Sequence, residues 1–240
     1  MTTTTASTSP RADNPLALIT TPMFMTKKAP KVAEADKADF VGYCLTWYKF
    51  LKTHAENEET SLFLKVEELL DDKTIWQESN QEHADFMPGV EKFGKYLVNL
   101  KSPSDFSGTK LLEIMATFQE SLEAHMRAEV STIAQLSQHP RTPKEGSPEE
   151  TATQTAFDTR EGNNLMKSGL TDVLPFFLFN FDREYEDGLW RNWPPIPGPV
   201  RWVLMNVAKV LHPGWWKFAG CDGTTLKSAL YAAPDSKREL

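Results

Sequence analysis

Residues 40–58 read FVGYCLTWYKFLKTHAENE, and their apolar side chains recur every three or four positions. The apolar line consists of Phe40, Cys44, Trp47 and Leu51. His54 and Glu58 continue that line one helical turn apart, instead of falling on the opposite face. This period is typical of a helix with one buried face. Imidazole and carboxylate groups on such a face are costly unless a partner satisfies them.

Two further segments repeat the pattern. Residues 75–100 have a helical apolar period that includes His83, and residues 109–138 have one that includes His125 and Glu129. Together with a helix predicted over 36–70, they place five polar groups on three buried helix faces. The coincidence across three segments is a much stronger signal than any single His-x-x-x-Glu.

The resulting prediction is an all-α protein, an antiparallel four-helix bundle with a helical extension at its C-terminus. Residues 1–14 are expected to be disordered, and 15–138 to form the bundle, with an irregular first helix within 16–25. Residues 139–155 are rich in Pro, Gly, Glu, Thr and Ser and are interpreted as a flexible linker.

Residues 156–240 are interpreted as an extension that packs on the bundle. This part is rich in Trp and Pro, and its large aromatic area favours burial against the helices. Two alternatives remain open: the amphipathic stretch 201–211 rests on a membrane surface, or the extension binds a protein partner.

Composition narrows the classes of function. The 240 residues carry a net charge of −7, so there is no basic field for nucleic acid. No apolar run approaches the ~20 residues that span a bilayer, and residues 1–10 lack the apolar core of a secretory signal. With only Cys44 and Cys221 present, buried free thiols and a cytoplasmic location are expected.

A metal ion is the most economical partner for the five polar groups, because imidazole and carboxylate are ligands of transition metals. The proposed ligands are His54, Glu58, His83, His125 and Glu129. The alternative is that these side chains form buried ion pairs with each other and bind no metal.

The chain resembles the hemerythrin-like (HHE cation-binding) family, especially its fungal members. The resemblance rests on DFVGYC at 39–44, THAENEETSLF at 53–63, EHADF at 82–86 and HMRAEV at 125–130. LPFF at 174–177, WPPIP at 193–197 and LHPGWWKF at 211–218 also look like the tail of such proteins. The family's site holds two irons between five histidines and two bridging carboxylates.

The resemblance implies that His54, His83 and His125 are iron ligands and that Glu58 and Glu129 bridge the ions. Two family histidines are missing, since their positions fall on Thr20 and Ser79. The cofactor implied is therefore one or two iron ions, or another divalent metal, in a partly degraded ligand set. Open coordination positions suit a non-haem iron oxygenase or oxidase that uses dioxygen and a small molecule in fungal secondary metabolism. A metal-free bundle that acts as an accessory or interaction protein is the rival hypothesis.

Overall fold

A computed structural model describes residues 25, 28–188, 191, 192, 194, 196–223, 230 and 231, without the side chains of 157–166, 185 and 186. The predicted disorder of residues 1–14 and the positions of Thr20 and Trp193 lie outside this part. The α-helices are α1 (Lys37–Asn57), α2 (Phe63–Leu70), α3 (Gln77–Val98), α4 (Gly108–Met115), α5 (Gln119–Leu136), α6 (Pro148–Lys167), α7 (Val173–Asn180), α8 (Tyr185–Gly188) and α9 (Gly198–Leu211). Short 3₁₀ turns cover Ala29–Lys31, Glu34–Asp36, Pro103–Asp105 and Trp215–Phe218.

The all-α class is confirmed, because the regular elements of the described residues are helices. Helix α3 lies between α1 and α5 and contacts both. The four-helix bundle itself stays a prediction. Three helices, α1, α3 and α5, surround the polar groups. The fourth helix of the predicted bundle, within residues 16–25, lies almost wholly outside the described residues.

The first long helix is interrupted by one π-helical turn, Glu58–Leu62, which connects α1 to α2. A π-turn adds one residue to a helical turn, so the buried face shifts by one position after Glu58. The shifted face is Phe63, Val66 and Leu70, which are all buried. Continued without interruption, the helix predicted over 36–70 would instead bury Leu62 and Leu69, but Leu69 is exposed. That part of the prediction is wrong.

The second long helix follows its predicted face closely. Trp76, Ser79, His83, Phe86, Val90, Phe93 and Leu97 are all buried. The third predicted helix is divided, since α4 ends at Met115 and α5 begins at Gln119. In the break, the buried ring of Phe118 packs 6.3 Å from the rings of both Trp47 and Phe93. A single helix over 109–138 is therefore incorrect.

Helix α6 begins inside the segment 139–155 that was interpreted as a linker. Pro148 is its first residue, and Ser147 Oγ accepts a hydrogen bond from the backbone N–H of Glu150. A capping serine followed by proline is a recognised helix start. The prediction of a flexible linker over the whole of 139–155 is therefore wrong. The capping signal at Ser147 and Pro148 outweighs the lack of an apolar period in this segment.

The segment after α6 contributes to the core. Every residue of α7 is buried, and this helix packs against α1. The Tyr43 hydroxyl donates a hydrogen bond to the buried amide oxygen of Asn180 at 2.8 Å. Farther along, the Phe218 ring lies 5.1 Å from that of Phe40, and the buried Lys28 ammonium donates to the Phe218 carbonyl at 2.6 Å.

The turn Trp215–Phe218 is bound directly to α1. A Cβ on Gly42 would lie 2.2 Å from Trp215, so glycine is required for this close approach. Lys217 pairs with Asp36 at 2.6 Å and with Asp39 at 2.8 Å. Helix α9 packs against α7 and accepts a hydrogen bond from Trp216 at the Ala208 carbonyl, while its outer face exposes Trp202 and Val210. None of the helices in the described part of the chain is both long and apolar enough to cross a membrane.

Candidate metal centre

The five proposed ligands come together between α1, α3 and α5. Glu58, His83 and His125 offer ligand atoms that all lie within 4.8 Å of one another, and so do His54, Glu58 and Glu129. We call these sets the inner triad and the outer triad. Glu58 belongs to both, so a single carboxylate connects two neighbouring groups of metal-binding side chains.

The inner triad is closed to solvent. Its three side chains are buried, and His83 Nε2 lies 3.1 Å from His125 Nε2. His83 Nε2 is also 3.5 Å from Glu58 Oε2. Among the described residues Glu58 Oε2 has no hydrogen-bond partner, although it is buried. A buried oxygen without a partner, facing two imidazole nitrogens, fits a cation that binds all three groups.

Two carboxylates contact the far side of the inner imidazoles. Glu59 Oε1 lies 2.8 Å from His83 Nδ1, and Glu82 Oε2 lies 2.8 Å from His125 Nδ1. A carboxylate only accepts hydrogen bonds, so the Nδ1 atoms donate. The Nε2 atoms that face each other are then the ones that carry lone pairs in the neutral rings. Neither carboxylate was predicted as part of the site.

The outer triad is partly open. His54 Nε2 lies 2.9 Å from Glu58 Oε1, and the His54 side chain is 27% exposed. The Phe50 ring stacks on the His54 imidazole with 6.0 Å between centroids and an angle of 12°. Solvent therefore reaches this triad beside His54, while Glu58 and Glu129 remain buried.

Burial and charge act differently on the two glutamates. Burial alone would raise the pKa of Glu58, but the charge of His54 and the hydrogen bond it forms outweigh burial and lower that pKa. Burial and the charge of Glu58 raise the pKa of Glu129 to about 8. Burial also lowers the pKa of His125, against its hydrogen bond to Glu82. Without a cation, the neighbouring carboxyls thus favour one proton between them.

The contribution of Glu129 to the stability of the metal-free protein is expected to fall as the pH rises from about 4.5 to about 8. Over that range the folded chain keeps the Glu129 proton, which the unfolded chain releases. Glu129→Gln should remove this loss and stabilise the protein near pH 8 by at most about 5 kcal/mol, since one pKa unit corresponds to about 1.4 kcal/mol. Melting temperatures against pH, in the presence of EDTA, test this. Glu120→Gln, an exposed change on the same helix, is the control and should follow the wild type. Parallel curves for Glu129→Gln and wild type would contradict the prediction.

The π-turn places two successive glutamates near the site. Glu58 is its first residue and enters both triads, and the adjacent Glu59 reaches His83. In an ordinary α-helix, neighbouring residues point about 100° apart. An unbroken helix therefore gives no reason to expect that Glu58 and Glu59 both reach the site. π-Turns within α-helices are often found at functional sites.

Thr20 and Ser79 occupy the two positions at which the hemerythrin-like resemblance implies a further histidine. Thr20 lies outside the described residues. Ser79 is buried one turn before His83, and the adjacent Glu78 is exposed. Asn180 is buried and hydrogen-bonds with Tyr43, Phe176 and Gly220.

Comparison with known proteins gives one informative similarity. The chain is 26% identical over 189 residues to the dimeric xanthone biosynthesis cluster protein R11 of Cryptosporiopsis sp. (strain 8999). The match covers 79% of this chain and 68% of that protein. No protein-family model and no solved structure matches the chain. The hemerythrin-like resemblance therefore stays a prediction. What the comparison shows is a distant similarity to a protein of a fungal biosynthesis cluster.

Proposed function

We propose that this protein is a hemerythrin-like, non-haem iron protein that acts in fungal secondary metabolism. Its ligands would be His54, Glu58, His83, His125 and Glu129, which hold one or two ions. The observation that supports this most is the position of Glu58, whose carboxylate is common to two triads of metal-binding side chains. A carboxylate between neighbouring ions is the usual arrangement of di-metal sites in helical bundles.

The donor set favours iron over harder cations. Imidazole nitrogens suit iron, zinc and copper, while magnesium and calcium prefer sites made of oxygen ligands alone. Iron with open coordination positions supplies redox chemistry with dioxygen. An oxidase or oxygenase acting on a small molecule agrees with the relative from a xanthone biosynthesis cluster. The two free, buried cysteines agree with a reducing cytoplasm.

Metal analysis of aerobically purified protein tests the proposal. Wild type is expected to contain about one or two equivalents of iron and to melt at a lower temperature after chelation, because a bound metal stabilises the folded state. His54→Ala/His125→Ala removes one imidazole from each triad and should reduce the metal to below about 0.2 equivalents. His139→Ala is the matched control, since His139 lies beside Asp72, away from the triads.

The alternative, a metal-free accessory protein, is supported by a specific observation. Each inner imidazole already has a carboxylate partner at 2.8 Å, and His54 has one at 2.9 Å. If neither wild type nor the double variant contains iron, manganese or zinc, and chelation leaves both melting temperatures unchanged, this alternative replaces the iron proposal.

A further inference from the structure

The two triads differ in burial and in what surrounds them. We propose that they form unequal ion positions, of which the inner one fills first because Glu59 and Glu82 act as positioning residues for its two imidazoles. This inference rests on the proposed metal-binding function. It assigns a role to two residues that are not ligands themselves.

The first argument is the tautomer of each inner histidine. A neutral imidazole carries one N–H, and the nitrogen that carries it cannot bind a metal. Since Nδ1 of His83 and Nδ1 of His125 each lie 2.8 Å from a carboxylate oxygen that accepts a hydrogen bond, the lone pair of each ring in its neutral form is on Nε2. The Nε2 atoms are the ones that face each other across 3.1 Å. In the neutral rings both Nε2 lone pairs thus point into the same space, which is the orientation that a cation bound between them requires.

The second argument is the contrast in exposure. The His83 side chain is 1% exposed, whereas that of Glu59 is 47% exposed. An ordered contact between a surface carboxylate and a fully buried ring fixes the ring without bringing another charge into the interior. Glu82, 25% exposed, has the same relation to His125. Outer partners of this kind typically change metal affinity 10- to 100-fold.

The third argument concerns the outer triad. It contains one imidazole and two carboxylates, and water reaches it beside His54. The inner triad contains two imidazoles and excludes water, so its ligand dipoles and charges act in a lower dielectric. For a transition-metal ion, the inner position is therefore the stronger one.

Titration of chelator-treated, full-length protein with Co²⁺, followed by visible absorption and calorimetry, tests the order of binding. Wild type should bind in two steps. Glu59→Leu and Glu82→Leu should each weaken the first step about 10- to 100-fold and change the absorption bands of the first ion. Glu59→Gln should restore most of the affinity, because an amide oxygen still accepts from Nδ1. Glu129→Gln should weaken the second step alone.

Glu56→Gln is the matched control, since Glu56 is exposed on α1 and belongs to neither triad. The melting temperature without metal separates positioning from folding, and it should be the same in the Leu variants as in wild type. An unchanged first step in both Leu variants, or a weakened step explained by a lower metal-free melting temperature, would overturn this inference alone. A wild type that binds no Co²⁺ would overturn the proposed function together with it.

Discussion

Glu58→Gln is expected to reduce metal affinity by more than about 100-fold and to abolish the second equivalent. The carboxylate belongs to both triads, so its loss removes an anionic ligand from each position at once. The effect should exceed the 10- to 100-fold typical of outer partners, because Glu58 would bind the ion directly. Co²⁺ titration and metal analysis of the purified variant measure it.

The comparison with Glu56→Gln makes this test specific. Both changes remove one negative charge from the same stretch of helix, but Glu58 is buried and Glu56 is exposed. Glu56→Gln should retain the wild-type metal content. Equal losses in the two variants would show that Glu58 acts through the overall charge and not as a ligand, which contradicts the proposed centre.

Phe176→Ala is expected to lower the free energy of unfolding by about 3–5 kcal/mol, the usual cost of deleting a buried aromatic ring. The ring is fully buried in α7, 5.2 Å from Tyr43 and 6.0 Å from Phe50. Phe50 in turn stacks on His54, so the Phe50 ring would separate this cavity from the outer triad. Urea unfolding in the presence of EDTA measures the effect without a contribution from metal.

Val210→Ala provides the control from the same half of the chain. Val210 is 80% exposed on α9, and its truncation should change stability by no more than about 0.5 kcal/mol. A loss below about 1 kcal/mol in Phe176→Ala would mean that α7 does not contribute to the core as its burial indicates.

Periodicity alone predicted three helical segments and the buried faces around the proposed ligands, but neither the π-turn Glu58–Leu62 nor the break between α4 and α5. His83, His125 and Glu129 are buried where their apolar lines place them, and Glu58 is buried where its line ends. A helix orients its own side chains, so a local pattern contains this information.

Local patterns could not predict the features that depend on other segments. Glu59 contacts His83 from within a π-turn that no apolar period indicates. Phe118 lies in the break between α4 and α5 and packs against the rings of Trp47 and Phe93. The sequence of α7 is apolar on nearly all sides, and its contacts with α1 and α9 show which helices cover it.

The sequence alone was enough to predict the all-α class and the five polar side chains directed inward. Helical geometry places residues three and four positions apart on the same face, so a local pattern contains this information. Packing between helices determined the remainder: which imidazole faces which, which carboxylate contacts each Nδ1, and how α7 completes the core. These relations join residues as far apart as Tyr43 and Asn180. Such contacts form only when the whole chain is folded, so no local pattern could predict them.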